Sequence, residues 1–205
     1  LTPARFDDQR QAGAVVLDAR SPEAFGGGHI PGALNVALGP MFATWAGTVL
    51  NAGAEVLLVL DDPGALGEAT WQLLRVGYPP PAGWLAGGMR AWESAGLPLR
   101  ATPQLAVGEL KQRLDAGQVR LLDVRQPAEW AEGHVPGATF VTGAELPERL
   151  AEVPDATPLA VTCSTGYRSS VAASLLASAG HRDVANVAGG MTAWRRAGYP
   201  LSSQP

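Results

Sequence analysis

The single cysteine of this chain, Cys163, opens the run Cys163-Ser164-Thr165-Gly166-Tyr167-Arg168-Ser169. An apolar stretch, Leu159 to Thr162, leads into it, and the helix-forming run SSVAASLLASAG follows Arg168. The loop therefore falls between a buried strand and a helix N-terminus, where open α/β folds bind ligands. Wrapped round the sulfur, such a loop turns backbone N–H groups inward as an anion nest. The helix end adds partial positive charge; Arg168 either adds a full charge or bridges a carboxylate. Together these favour the thiolate, and cysteines so placed have pKa values of roughly 3.5–7.5, against about 8.5 for a free thiol. Gly166 suits the tight curve because it tolerates positive φ. Ser164 and Thr165 carry hydroxyls that reach either the sulfur or solvent. The same cradle would hold a cysteine persulfide, also an anion. The candidate nucleophile is Cys163, and the candidate cradle is Ser164, Thr165, Gly166, Tyr167 and Arg168.

Other polar residues read as framework. His29 and His134 each sit in Gly-His-(Ile/Val)-Pro-Gly, the pattern of a turn. Three isolated histidines and one cysteine offer no metal-ligand spacing, so neither metal nor organic cofactor is expected. Asp18 and Asp123 end apolar runs and precede Arg20 and Arg125, as caps or ion-pair partners would. Trp92 and Trp194 read as core anchors. Gly87-Gly88 and Gly189-Gly190 are too short for a dinucleotide fingerprint and read as a tight loop at the rim of the site.

The elements that position these residues occur twice. LDARSPEAFGGGHIPGA (Leu17 to Ala33) and LDVRQPAEWAEGHVPGA (Leu122 to Ala138) share nine of seventeen positions at an offset of 105. AGGMRAWESAGLPL (Ala86 to Leu99) and AGGMTAWRRAGYPL (Ala188 to Leu201) share ten of fourteen at an offset of 102. The first copy thus carries three extra residues, assigned to Asn35 to Glu55. Two blocks in one order mean a duplicated domain. Pro98 and Pro103 bracket a polar stretch that no helix can cross, giving domains 1–101 and 102–205. Short apolar runs alternate with helical patterns: Val15 to Leu17, Val56 to Leu60, Arg120 to Leu122 and Leu159 to Thr162, against Glu68 to Val76 and the helix after Arg168. After Arg168 the helical spacing is Val171, Leu175, Leu176 and Ala179, with Gly180 as a stop. The fold class is α/β, each domain a parallel sheet flanked by helices.

DVRQPAEWAEGHVPGA, CSTGYRS and AGGMTAW, in that order, resemble a rhodanese homology domain over Leu105 to Leu201. CSTGYRS is similar to that family's six-residue active loop, Cys-x-x-Gly-x-Arg followed by Ser. The resemblance implies that Cys163 is persulfidated, that Ser164 to Arg168 form the cradle, and that Asp123, Arg125, Glu129 and His134 are mainly structural. It implies small sulfur donors (thiosulfate, low-molecular-weight persulfides or polysulfides) and thiol, sulfite or cyanide acceptors. Copy one resembles the same family over Val15 to Leu99, but Asp61 falls at the cysteine position and Leu66 at the arginine position. Two carboxylates, Asp61 and Asp62, would repel an anionic donor, so copy one reads as a catalytically dead fold. Asn35 to Val49 is similar to the inactive segment in fusions where a metallo-β-lactamase-fold persulfide dioxygenase precedes two rhodanese domains. A fused upstream domain is accordingly expected, in keeping with a chain that starts at Leu1.

Composition narrows the alternatives. The chain has 205 residues, 46% hydrophobic, with a net charge of −4, and its fourteen Arg and one Lys are scattered. Without a basic patch, nucleic acid is not an expected partner. No apolar stretch nears the ~20 residues of a membrane helix, and Leu1 to Arg10 does not read as a signal peptide. One cysteine fits a reducing compartment, and the expected location is the cytoplasm. Two rival readings stand beside sulfur transfer. A cysteine-dependent phosphatase or arsenate reductase typically places five residues between Cys and Arg, whereas four lie between Cys163 and Arg168. A non-catalytic sulfur-carrier or docking module would keep the fold without turnover, as the reading of copy one already implies.

Overall fold

The computed structural model describes residues 1–154 and 158–203. The chain separates into two compact units, Leu1–Ala101 and Thr102–Pro205. In the second, the elements are β5 (Gln104–Leu105), α6 (Val107–Asp115), β6 (Arg120–Asp123), α7 (Pro127–Ala131), β7 (Thr139–Phe140), β8 (Leu159–Thr162), α8 (Tyr167–Ser178), β9 (Val184–Val187) and α9 (Gly190–Arg196); the numbering continues from the first unit, described below. The sheet order is β5-β9-β8-β6-β7, with every pairing parallel.

The apolar runs are continuous because both faces of the sheet are covered. Along β8, Leu159 and Val161 pack with Leu122, Val124, Ala172 and Leu176. Ala160, between them, packs on the opposite side with Leu121, Val187 and Trp194. A strand with period-two side chains and two dry faces needs apolar residues at every position. The central strand β8 thus delivers Cys163 at its carboxyl end, with its side chain in the same cluster as Leu122 and Ala172.

The helix after the loop is wider-buried than its apolar spacing predicts. Val171 and Leu176 are buried, Leu175 is half-buried, and Ala179 is the exposed C-cap. Ser169, Ser170 and Ser174 are buried as well. Small hydroxyl side chains let α8 lie close to the sheet, and Ser174 satisfies its own hydroxyl by donating to the Val171 carbonyl at 2.7 Å. Gly180, with φ of +100°, ends the helix region as expected of a left-handed glycine.

The first unit comprises α1 (Pro3–Gln11), β1 (Val15–Asp18), α2 (Pro22–Gly27), β2 (Leu34–Asn35), α3 (Phe42–Val49), β3 (Val56–Val59), α4 (Leu66–Arg75), β4 (Gly83–Trp84) and α5 (Gly88–Ser94). Its sheet order is β2-β1-β3-β4, again all parallel. Trp92 is fully buried against Phe6, Val16, Leu57 and Leu85. The region assigned the three extra residues contains α3, whereas the matching stretch of the second unit holds only turns and the single 3-10 turn Leu150–Glu152 among its described residues.

Candidate functional site

Cys163 is 1% exposed, and its sulfur accepts two hydrogen bonds from the chain that curls round it. The Gly166 N–H lies 3.2 Å from Sγ and the Ser169 hydroxyl 3.3 Å. Gly166 takes φ +112° and ψ −16°, a conformation that side chains other than glycine's resist. That twist aims its amide at the sulfur and its carbonyl away. The carbonyl accepts from Asn186 Nδ2 at 3.2 Å and from the Ser170 N–H at 3.1 Å. On the outer side, the Met191 N–H donates to the Cys163 carbonyl at 2.7 Å and the Thr192 N–H to the Ser164 carbonyl at 2.9 Å. The first turn of α9 therefore clamps the loop carbonyls outward, which leaves its amides free to face in. A Cβ on Gly190 would come within 2.2 Å of the Cys163 carbonyl oxygen. The Gly189-Gly190 pair is thus the close contact between α9 and the loop.

A second layer is built from β6. Arg125 is 2% exposed and forks onto Asp123, with Nε to Oδ1 at 2.9 Å and Nη2 to Oδ2 at 2.7 Å. Its remaining donors strap α7: Nη1 reaches the Glu129 carbonyl at 2.9 Å and Nη2 the Gly133 carbonyl at 3.0 Å. Glu129, third in the helix, also accepts from the Gln126 N–H at 3.0 Å and closes the first turn. Its carboxylate then faces the loop. Arg168 binds it through two nitrogens, at 2.6 and 2.8 Å, and Ser164 donates its hydroxyl to it. Arg168 also donates to Ser164 Oγ at 2.7 Å.

The electrostatics follow this geometry. Arg168 first, and Ser164 and the Gln126 amide after it, hold the Glu129 carboxyl down at about 2, against the opposing effect of partial burial. Arg168 is held more firmly protonated, first by Glu129 and, against burial, by attraction to Cys163. Of the two roles left open for Arg168, the contacts show the bridge to a carboxylate. Burial pushes the Tyr167 phenol up to about 12; Tyr167 is half-buried, and Thr165 is exposed.

Sequence reasoning placed Cys163, Ser164, Gly166 and Arg168 together, and the structure brings them together. It assigned Glu129 to the framework by resemblance; Glu129 instead reaches into the site, because the Arg125 strap turns the first turn of α7 toward the loop. Ser169 and Asn186 were not singled out. A signal for all three lay in the duplication: Glu129 aligns with Ala24, Ser169 with Gly67 and Asn186 with Trp84. His134 stays in the framework, stacked on Trp130 with ring centroids 3.5 Å apart and Nδ1 at 3.2 Å from the Trp130 carbonyl. His29 repeats this on Phe25 at 3.8 Å, and burial lowers its pKa. Among the described residues no three His, Cys, Asp or Glu side chains cluster as a metal site.

The first unit keeps the strap and lacks the site. Asp18 pairs with Arg20 at 2.6 Å, and Arg20 donates to the Gly28 carbonyl at 2.8 Å. Burial raises the Asp18 pKa against the pull of Arg20. At the loop, Asp61 and Asp62 are exposed, and Asp62 accepts from the Gly64 N–H at 2.8 Å to start a 3-10 turn, Pro63–Ala65.

A parallel sheet whose central strand presents a cysteine to a glycine-turned loop at a helix N-terminus defines an α/β domain that encloses a single sulfur. The chain belongs to the rhodanese-like domain family, whose model matches it twice, over residues 2–95 and 106–197. It is similar to a sulfurtransferase of Allochromatium vinosum, 39% identical over 93 residues, which are 45% of this chain and 87% of that one. It is also similar to the thiosulfate sulfurtransferase GlpE of Pseudoalteromonas translucida, 31% identical over 97 residues, 47% of this chain and 92% of that one. A rhodanese-related protein of Thermoplasma volcanium superposes with a TM-score of 0.46 at 27% identity, covering 50% of this chain and 99% of its own. Family membership supports a rhodanese-type sulfurtransferase function. No helix among the described residues is long and apolar enough to cross a membrane.

Proposed function

We propose that the second unit transfers sulfane sulfur through a persulfide on Cys163, and that the first unit is catalytically silent. The observation that carries this is the enclosure of the Cys163 sulfur by the Gly166 amide and the Ser169 hydroxyl, inside the Glu129–Arg168–Ser164 network. The cradle is Ser164 to Arg168, with Thr165 at its exposed edge.

The reaction is a double displacement. The Cys163 thiolate attacks the outer sulfur of the donor. A Cys163–S bond forms, the donor's S–S bond breaks, and its electron pair leaves on the donor. Thiosulfate leaves as sulfite; an organic persulfide leaves as a thiolate, which takes up the proton released by the new persulfide. The Cys163 persulfide anion is held by the same two donors, the Gly166 amide and the Ser169 hydroxyl. An acceptor thiol, sulfite or cyanide then attacks the outer sulfur and regenerates the thiolate. No redox cofactor enters, since sulfur moves with its electrons accounted for between donor and acceptor.

Two observations weigh against a phosphatase or arsenate reductase. Four residues between Cys163 and Arg168 make a loop one residue shorter than the five such enzymes typically use, and Arg168 is committed to Glu129 instead of open to an oxyanion. The test is intact-mass analysis after incubation with thiosulfate or glutathione persulfide, with Cys163→Ser beside it. One added sulfur, absent from the variant and removed by cyanide or a thiol, is expected. A folded, reduced protein that gains no sulfur from any donor would sink the reading.

A further inference from the structure

Beside the loop lies a cavity of about 130 Å3, roughly four times the ~30 Å3 that a water occupies in the liquid. Arg125, Glu129, Ser164 and Thr192 line it, together with Arg195 and Glu132. Arg125 and Glu129 are committed to the contacts described above. Arg195 is not. Its nearest partners are the Gly133 carbonyl at 3.5 Å and Glu132 at 4.0 Å, long beside the ~2.7–2.9 Å of charge-assisted bonds. A guanidinium with five donors is thus only loosely used.

Helical spacing sets where it points. Arg195 follows Thr192 by three residues and Met191 by four, so it shares the face of α9 whose amides clamp the loop. The cavity reaches Ser164 but is not lined by Cys163. An anionic group held by Arg195 therefore sits several bonds away from the reacting sulfur. Thiosulfate carries its charge on its sulfane sulfur and on oxygens only two bonds from it. A carboxylate-bearing organic persulfide carries it farther along the molecule. The duplication agrees: where the second unit has Arg195, the first has Glu93, so the cation is missing from the copy that lacks the nucleophile.

We propose that Arg195 selects the donor, binding the carboxylate of a low-molecular-weight organic persulfide whose outer sulfur is passed to Cys163. This rests on the sulfur-transfer reading above. Glu132, which also lines the cavity, weakens that binding because its charge has the same sign as the substrate's carboxylate.

The test uses the full chain and a matched pair of donors, N-acetylcysteine persulfide and its primary amide, with thiosulfate as a third. The readout is kcat/KM for gain of one sulfur. Wild-type protein should favour the acid over the amide by roughly tenfold, the scale of one charge-assisted bond at a half-exposed site. Arg195→Ala should bring that ratio close to one by raising KM for the acid, Arg195→Lys should restore part of it, and Glu132→Gln should widen it. A wild-type ratio near one, or a ratio unchanged in Arg195→Ala, overturns the assignment while sulfur transfer stands. No sulfur gain from any of the three donors removes both.

Discussion

Glu129→Gln keeps the shape of the side chain and removes its charge. The drop of the Glu129 carboxyl from its usual 4.5 to about 2 corresponds to at most ~3.4 kcal/mol of interaction, at about 1.36 kcal/mol per unit. The two partners remain 20% and 30% exposed. Solvent screening, and the hydrogen bonds that the amide retains, bring the expected loss to about 1–2 kcal/mol at neutral pH. The pH dependence is the sharper part. A carboxyl depressed in the folded state stabilises above its unfolded value and loses that effect as pH falls through its folded value. The gap between wild type and variant should therefore be flat above about pH 5, half closed near about pH 3, and nearly gone below about 2. Deuterium labelling of the β8 and α8 amides, read peptide by peptide, reports unfolding of the second unit separately from the first. Urea titrations from pH 7 to 3 with this readout give the gap directly. No gap at pH 7, or one that stays constant down to pH 3, would refute the view that Arg168 and Ser164 are organised around an ionised Glu129.

Three further outcomes follow from the geometry. Gly190→Ala should destabilise the second unit by more than about 2 kcal/mol, because its Cβ meets a backbone oxygen that cannot move aside, while Gly166→Ala, whose Cβ meets nothing closer than 3.6 Å, should cost about 1–2 kcal/mol of backbone strain only; the same labelling titration ranks them, and the reverse order contradicts the clamp. Asn186→Leu removes the donor to the Gly166 carbonyl, and stopped-flow persulfide formation should slow roughly tenfold, the equivalent of about 1.4 kcal/mol, with the unfolding midpoint moved far less; an unchanged rate rules out its role in aiming the loop. Asp61→Cys in a Cys163→Ser background should gain no sulfur by intact mass, since Leu66 and Ala24 stand where the second unit has Arg168 and Glu129; a sulfur adduct there would show that a thiol in the loop suffices.

The alternation of strands and helices was legible because β1, β3, β6 and β8 are buried on both faces and so read as unbroken apolar runs. The loop was legible because a cysteine, a glycine and an arginine at fixed spacing have few other uses. The width of the buried face of α8 was not, since Ser169 and Ser174 look like surface residues until a sulfur and a carbonyl are supplied to receive their hydroxyls. Glu129 escaped for a related reason. Its place at the third position of α7 is already accounted for by the Gln126 N–H, and only the Arg125 strap, joining residues distant from the loop in sequence, turns the same carboxylate toward Arg168. Resemblance to a family supplied residue types; the long-range contact supplied the role.

The isolation of Cys163 has a consequence for its oxidation chemistry. Within these 205 residues there is no second thiol. If peroxide converts the sulfur to a sulfenic acid, no resolving cysteine in these residues can trap it as a disulfide, and further oxidation to the sulfinic state is irreversible by thiols. A sulfur atom already carried on Cys163 changes that outcome: oxidation then falls on the outer atom, which a thiol can still cleave away at the S–S bond. On the proposed sulfur-transfer reading, the loaded form would survive an oxidant and the empty form would be exposed to loss, so the supply of donor would set the working lifetime of the site as well as its rate.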